Sequence, residues 1–459
     1  MTTNTRHLSW LVGAASLAAV LLLSVPAHAQ LTATVDRDVS AKTGSDSECG
    51  MAKNPINPNQ LFAFCNTAGA GMLAARSTDG GNTWIYPDPT DKTIADGDPG
   101  QGPASCCDPS LAWDTFGNLF ITYLNTNATT VEIILSTDGG ATFTNLVTFA
   151  GSVDQQTAVV ANTTLPGAPV MIQVVWNQSG AMVGRAAPVT GLGAVGAFTA
   201  LQSTASSGIS FGDVAISPGG VVVQSVTPSG GQTGGNISIY RDLDGTGPGG
   251  WTGPIVAGTT NVGGFDFIPA QPTRSVDPET GLVFDANPTS PHFGRLYLMY
   301  TDELIQESNN LEIMLRFSDD NGATWSAAQR VNDDPTLLSQ FNPKISIDDP
   351  TGNFMVCFHD CRESPGNTAM REYCTAAGPN GPAPMFLPNI PVGDGLSTTN
   401  SDGFDFGDYS GLDYSSAIGH PIWGDRSNST GTNPDTSFDA QTDRVSGNVP
   451  VELTNIQID

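Results

Sequence analysis

The sequence predicts an all-β chain, a β-propeller of four-stranded blades, with seven blades favoured and six the alternative. Three observations lead there. One octapeptide recurs along the chain. Short runs of β-branched and aromatic residues alternate with turn signals. Helical periodicity is hard to find after the first 29 residues. Glycine (52) and proline (32) are abundant among 459 residues and charged residues make up only 14%, a composition of many turns rather than long helices.

The elements follow in order. Arg6, an apolar run from Leu8 to Val25 and Ala27-His28-Ala29 read as a signal peptide over 1–29. The chain beyond is then secreted or periplasmic, with no membrane insertion after cleavage. Residues 30–45 form an N-terminal segment that includes a candidate closing strand, and 46–459 a single propeller. Seventeen basic against 45 acidic residues give a net charge of −28, which repels nucleic acid and anionic membranes.

The octapeptides are "STDGGNTW" (77–84), "STDGGATF" (136–143) and "SDDNGATW" (318–325). Ser77, Asp79, Gly81 and Trp84 recur as Ser136, Asp138, Gly140 and Phe143, then as Ser318, Asp320, Gly322 and Trp325. Ser and Asp accept hydrogen bonds from turn N–H groups, Gly takes a positive φ, and the aromatic inserts between sheets. Trp84 and Phe143 lie 59 residues apart, and Trp325 follows 182 later, about three further units of that period. Phe198, Trp251 and Phe386 close degenerate copies between and after them. A last set, "YSGLDY", "HPIWG" and "SFDAQTDRV", has no octapeptide. Either "LTATV" (31–35) or "VELTNI" (451–456) would supply its outer strand and remove the open edge.

Seven cysteines and no Cys-x-x-Cys point to disulfides rather than zinc. A hairpin turning at 54–59 sets Cys49 opposite Cys65. One turning at 363–367 sets Cys361 opposite Cys374. Cys106, Cys107 and Cys357 stay unassigned.

The octapeptides are Asp boxes, or BNR repeats, and the chain resembles secreted propellers of the sialidase superfamily. "RLYLMYTDE", "RFSDDNGATWSAAQRVNDD", "QFNPKISIDDPTGNFMVCFHDCR" and "FGDYSGLDYSSAIGHPIWGDRS" are similar, in order, to the second half of bacterial exo-α-sialidase-like proteins. The resemblance implies a sialidase-like β-propeller and a glycoside hydrolase acting on extracellular glycans. It also implies three arginines on a substrate carboxylate, a Tyr–Glu nucleophile pair and an Asp acid/base. The family's first arginine sits in Arg-Ile-Pro or Arg-Leu-Pro ahead of the first box. No such tripeptide occurs here, where only Arg37 and Arg76 lie between residue 29 and that box.

In a four-stranded meander the octapeptide turns share one face and the long loops the other. On the loop-rich face three second strands end in aromatic-x-Asp: Tyr300-Thr301-Asp302, Phe358-His359-Asp360 and Trp423-Gly424-Asp425. Arg362 and Arg426 follow two of them, and Asp408, Tyr409 and Asp108 begin inner strands on the same rim. The carboxylates fit first of all caps for loop N–H groups, and in the competing reading a funnel binding sugar hydroxyls or dividing acid and nucleophile roles. Calcium is the one cofactor with candidate ligands, at Asp302 and Glu303 or at Asp242 and Asp244. The leading expectation is a propeller that binds glycans or an extracellular protein through the loop-rich face. The alternatives are a glycoside hydrolase and a structural surface module.

Overall fold

A computed structural model describes residues 1, 30–161, 170–204, 211–228, 230–399, 401–447 and 449. The signal-peptide expectation and the strand "VELTNI" lie outside them. The described residues form seven antiparallel sheets of propeller-blade type and one extra hairpin. Each inner strand packs beside the next, and Gly411–Ser415 of the last blade packs on Asp46–Lys53 of the first, which closes the ring. The fold is a seven-bladed β-propeller.

Blade 1 runs Asp46–Lys53, Leu61–Thr67, Met72–Ser77 and Thr93–Ile94 from axis to rim, and blade 2 Ser105–Trp113, Leu119–Asn125, Thr130–Ser136 and Thr144–Ala150. Blades 3 to 6 repeat this order with inner strands Val153–Ala161, Val214–Ile216, Gly281–Phe284 and Gln340–Asp348. Blade 7 takes Gly411–Ser415, Ile418–Asp425 and Asp439–Thr442 from late in the chain, and its outer strand, Arg37–Asp38, from the N-terminal segment. Leu31–Ala33 continues that outer edge beside Val445–Gly447. Between blades 4 and 5 a hairpin of Asp266–Ile268 and Gln271–Val276 stands apart from every sheet.

Seven apolar clusters hold the ring, one at each blade-to-blade interface. Because side chains alternate along a strand, Leu61, Ala63 and Cys65 face blade 7, while Phe62 and Phe64 face blade 2. Blades buried on both faces explain why these strands read as continuous apolar runs. Burying each such aromatic contributes on the order of 1.5–3 kcal/mol.

The octapeptide turns share one hydrogen-bond pattern. The Ser77 hydroxyl donates to Asp79 Oδ1 at 2.8 Å and accepts from Gly81 N at 2.9 Å, and Asp79 accepts from Thr83 N and Oγ1 at 2.9 and 2.7 Å. The turns at Asp138 and Asp320 repeat it. Phe143 is buried, whereas Trp84, Trp251 and Trp325 are half-buried at the edges of their clusters.

Cys49 and Cys65 are bonded across the first hairpin. The expected Cys361–Cys374 bond is corrected to Cys357–Cys374. The reason is register: Asn353–Asp360 pairs with Arg371–Ala377 so that Cys357 stands opposite Cys374, with Cα atoms 4.1 Å apart. Residues 361–370 form a loop rather than a tight turn. Cys361 sits past the strand end as a buried free thiol. Cys106 and Cys107 are bonded to each other.

Candidate functional site

Where inner strands begin, their backbone departs from regular β structure. Glu48, Asp108, Gln155, Glu279 and Asn342 have φ of 52°, 60°, 33°, 38° and 47°. Strand register shifts beside four of them. Left-handed backbone at a residue other than glycine costs of order 1–3 kcal/mol and gathers where a side chain must be aimed. Here Glu48, Asp108 and Gln155 line a pocket of about 450 Å³ on the loop-rich face, shared with Asp154, Arg274, Asp408, Phe211, Phe265 and the Cys106–Cys107 disulfide.

The hairpin between blades 4 and 5 supplies the arginine. Its Gln271 Nε2 donates to Gly407 O at 3.0 Å and its Thr273 Oγ1 to Asp405 Oδ2 at 2.7 Å, tying it to the loop before the blade 7 inner strand. Arg274 grips Asp408 with two bonds of 2.8 and 2.7 Å, donates to Gly403 O at 2.8 Å and bonds Glu48. One guanidinium thus serves two carboxylates. Burial, and next the Asp408 charge, push Glu48 up to about 8 against the pull of Arg274.

Among the described residues neither Asp108 nor Asp154 forms a salt bridge, and Arg274 acts on Asp108 only at a distance. Gln155 N donates to Asp108 Oδ2 at 3.0 Å, and the two carboxyls interact directly. Burial first, then Asp154, push Asp108 up to about 7; burial also holds Asp154 above the usual carboxylate range although solvent reaches it.

Beneath the pocket lies a chamber of about 60 Å³ lined by Gln156, Asp213, Glu279, Lys344 and Tyr409, among others. Burial, then Asp277, hold Glu279 well above its ordinary value, against Lys344. Burial, with Asp108, Glu48, Asp408 and Glu279 adding, keeps the Tyr409 phenol protonated. Its hydroxyl meets no hydrogen-bond partner among the described residues, so no base is in place to draw its proton.

The structure therefore brings Asp108, Asp408 and Tyr409 together and leaves the aromatic-x-Asp positions elsewhere. Asp302 Oδ1 accepts from Asn261 N and Glu303 N, both at 2.9 Å. Asp360 accepts from Arg362 N at 2.7 Å and Arg362 Nε at 2.8 Å, and Asp425 from Ser427 N at 2.7 Å. Arg362 also binds Asp333 at 2.8 Å and lies over the Tyr373 ring, while Arg426 Nε donates to Thr436 O at 2.6 Å. The three aspartates end second strands, one strand removed from the axis, and each accepts from backbone N–H groups at the strand end.

The calcium candidates are engaged in the same way. Glu303 accepts from Glu307 N and Asn309 N at 2.5 Å each, and Asp242 Oδ1 from Asp244 N and Gly245 N at 3.1 Å each. Among the described residues one His/Cys/Asp/Glu group has metal-ligand spacing, Cys357, Glu372 and Cys374, and its cysteines are spent in a disulfide.

Glu48, Asp154 and Arg274 escaped the sequence reading. Glu48 occupies the same left-handed strand-entry position as Asp108, and Asp154 stands one residue before that position in blade 3, so the shared position was the available signal. Arg274 sits on an insertion with no counterpart in other blades, so repeat logic gave no pointer to it.

No protein-family model matches the chain, and no curated protein matches it. Solved structures with similar folds include the Hadza microbial sialidase Hz136, at 15% identity and a TM-score of 0.43, covering 69% of this chain and 63% of that one. The GH93 α-L-arabinofuranosidase of Fusarium graminearum is 10% identical with a TM-score of 0.41, covering 72% and 93%. The BP39L lectin from Burkholderia pseudomallei is 12% identical with a TM-score of 0.49, covering 83% and 94%. Overlaps this distant carry no residue roles across, so function is argued from the pocket alone.

Proposed function

We propose that the central pocket of the loop-rich face binds extracellular glycans that carry no carboxylate. One observation carries this: the single arginine of the pocket is already committed to Glu48 and Asp408. A sugar carboxylate entering here would meet Asp108 and Asp154 and no free guanidinium. Sugar hydroxyls, in contrast, donate to such acceptors, and Phe211, Phe265 and the adjacent disulfide offer apolar surface for a ring face. The three disulfides fit an oxidising compartment, in line with a secreted or periplasmic protein. Among the described residues no helix is long and apolar enough to cross a membrane.

The test is a glycan panel read by direct binding. Neutral glycans should bind, with affinity lost in Asp108→Asn and kept in Asp302→Asn. The reverse pattern would move the site to the second-strand ends and end the proposal.

A second reading, glycoside hydrolysis, is favoured by one further observation. Burial pushes Glu48 and Asp108 up to about 8 and about 7, and both lie in one pocket with Asp408, which is paired with Arg274. A carboxyl whose proton affinity is raised by burial is what the general-acid role in glycosidic cleavage needs. Turnover of a neutral fluorogenic glycoside that Asp108→Asn abolishes would make the pocket catalytic. Binding without turnover would leave it a lectin-type site.

A further inference from the structure

We propose that the ligand of this pocket bears a primary amine, so that among glycans the site selects residues of amino sugars over their neutral and acidic counterparts. The proposal rests on the reading of the pocket as a glycan site and names the chemical class it takes. Its ground is the mismatch between donors and acceptors. Arg274 is consumed by Glu48, Asp408 and Gly403 O. That leaves Asp108 and Asp154 facing each other with one backbone N–H, from Gln155, between them.

A second observation is independent of the acids. Gln156 is only 4% exposed, and its amide nitrogen is bound to Asp108 O, yet its Oε1 has no partner among the described residues, and the residue lines the adjoining chamber. The charged groups facing this space are Glu48, Asp108, Asp154, Asp213, Glu279, Asp408, Arg274 and Lys344, and Lys344 acts on Asp213 and Glu279. A surplus of acceptors calls for a group that only donates, and an ammonium has three donors and no acceptor. The pocket of about 450 Å³ that Asp108 and Asp154 line has room for such a head group between the two carboxyls, with the sugar ring beside Phe211 and Phe265.

Binding would also move protons. Asp108 holds part of its proton near neutral pH, and an ammonium beside it favours the ionised form, so binding should release protons into solution. Affinity should therefore rise between pH 6 and 8, until the ligand's own amine loses its charge.

The experiment titrates the full chain with glucosamine oligomers, their N-acetylated counterparts and glucuronate-bearing oligomers, in two buffers of different ionisation heat. The amine form should bind at least about tenfold more tightly than the N-acetyl form, the worth of one charge-assisted contact, with proton release seen as a buffer-dependent enthalpy. Asp154→Asn should erase the preference. Solvent already reaches Asp154, so this variant should fold, and thermal unfolding would check it. Equal binding of amine and N-acetyl forms, sensitive to Asp108→Asn, would overturn the amine inference and leave the glycan site standing. Preference for glucuronate would overturn both. No binding of any oligomer would also overturn both, and calcium binding that Asp154→Asn abolishes would replace the amine by a metal.

Discussion

Gly140 provides the sharpest test of how the octapeptide turns clamp the blades. Its φ is +78°, and a Cβ built there would stand 2.4 Å from Phe62 Cδ2 and 2.7 Å from Cε2. Phe62 cannot yield easily. It is 0% exposed between blades 1 and 2 and meets Phe143, the aromatic of the same octapeptide, edge-on at 5.8 Å. Gly80 supplies the control, with φ +74° but its nearest contact an ordinary 3.6 Å to Asn59 Oδ1. Both Gly→Ala changes carry left-handed strain of about 1–2 kcal/mol. Only Gly140→Ala adds overpacking, worth about 1–3 kcal/mol. Gly80→Ala should thus cost about 1–2 kcal/mol and Gly140→Ala about 2–5 kcal/mol. Urea midpoints and slopes followed by tryptophan emission read both. If Gly140→Ala unfolds at the same urea concentration as Gly80→Ala, the turn does not press on the blade interface and the clamp is wrong.

Asp320→Ala should cost about 1–2 kcal/mol, since it frees Thr324 N and Oγ1 at a largely exposed turn; glycan binding by the folded protein should not change, and a loss of binding would place function on the octapeptide face. Non-reducing peptide maps should show Cys49–Cys65, Cys106–Cys107 and Cys357–Cys374, with Cys361 alkylated only after unfolding because burial pushes its thiol up. Stability should fall as pH rises from about 4 to about 8. Burial raises the folded values of Glu48, Asp108, Asp277 and Asp439 to about 8, 7, 7 and 8. The unfolded chain then binds fewer protons across that window, so each contribution is whole below pH 4 and lost by pH 8. Stability that instead climbs steadily from pH 5 to 8 would show these carboxyls ionised in the native state.

Much of the fold was legible because a repeat declares its own period. Three octapeptides spaced by one unit and by about three units fixed blade length, and strand alternation did the rest. The hairpin at Gln271–Val276 was not legible, since it belongs to no blade and pairs with none. The site was half legible. Topology pointed to strand entries on the loop-rich face, which found Asp108, Asp408 and Tyr409. The aromatic-x-Asp series looked like a second ring because it too recurs, but recurrence in a propeller marks any position with a repeated backbone need. Asp302, Asp360 and Asp425 meet such a need by accepting loop N–H groups. The Cys361 error came from centring a hairpin on its most turn-like residues, whereas inter-strand pairing set the register.

The contrast between the two sets of acids bears on function. A capping carboxylate contributes to stability by accepting N–H groups, as Asp79 does: hydrogen bonds led by Thr83 outweigh burial and hold it below its usual range. The pocket acids do the opposite. Glu48 and Asp108 sit on left-handed backbone, burial raises the proton affinity of both, and Asp108 shares a single backbone N–H with Asp154. Each of these features makes the folded state less stable, and replacing Asp108 with an amide would relieve part of it. A fold keeps such groups where their cost is offset by what they do. Strained backbone, an acid pair with one shared donor and raised proton affinity meet in one pocket beside a hairpin that no sheet requires.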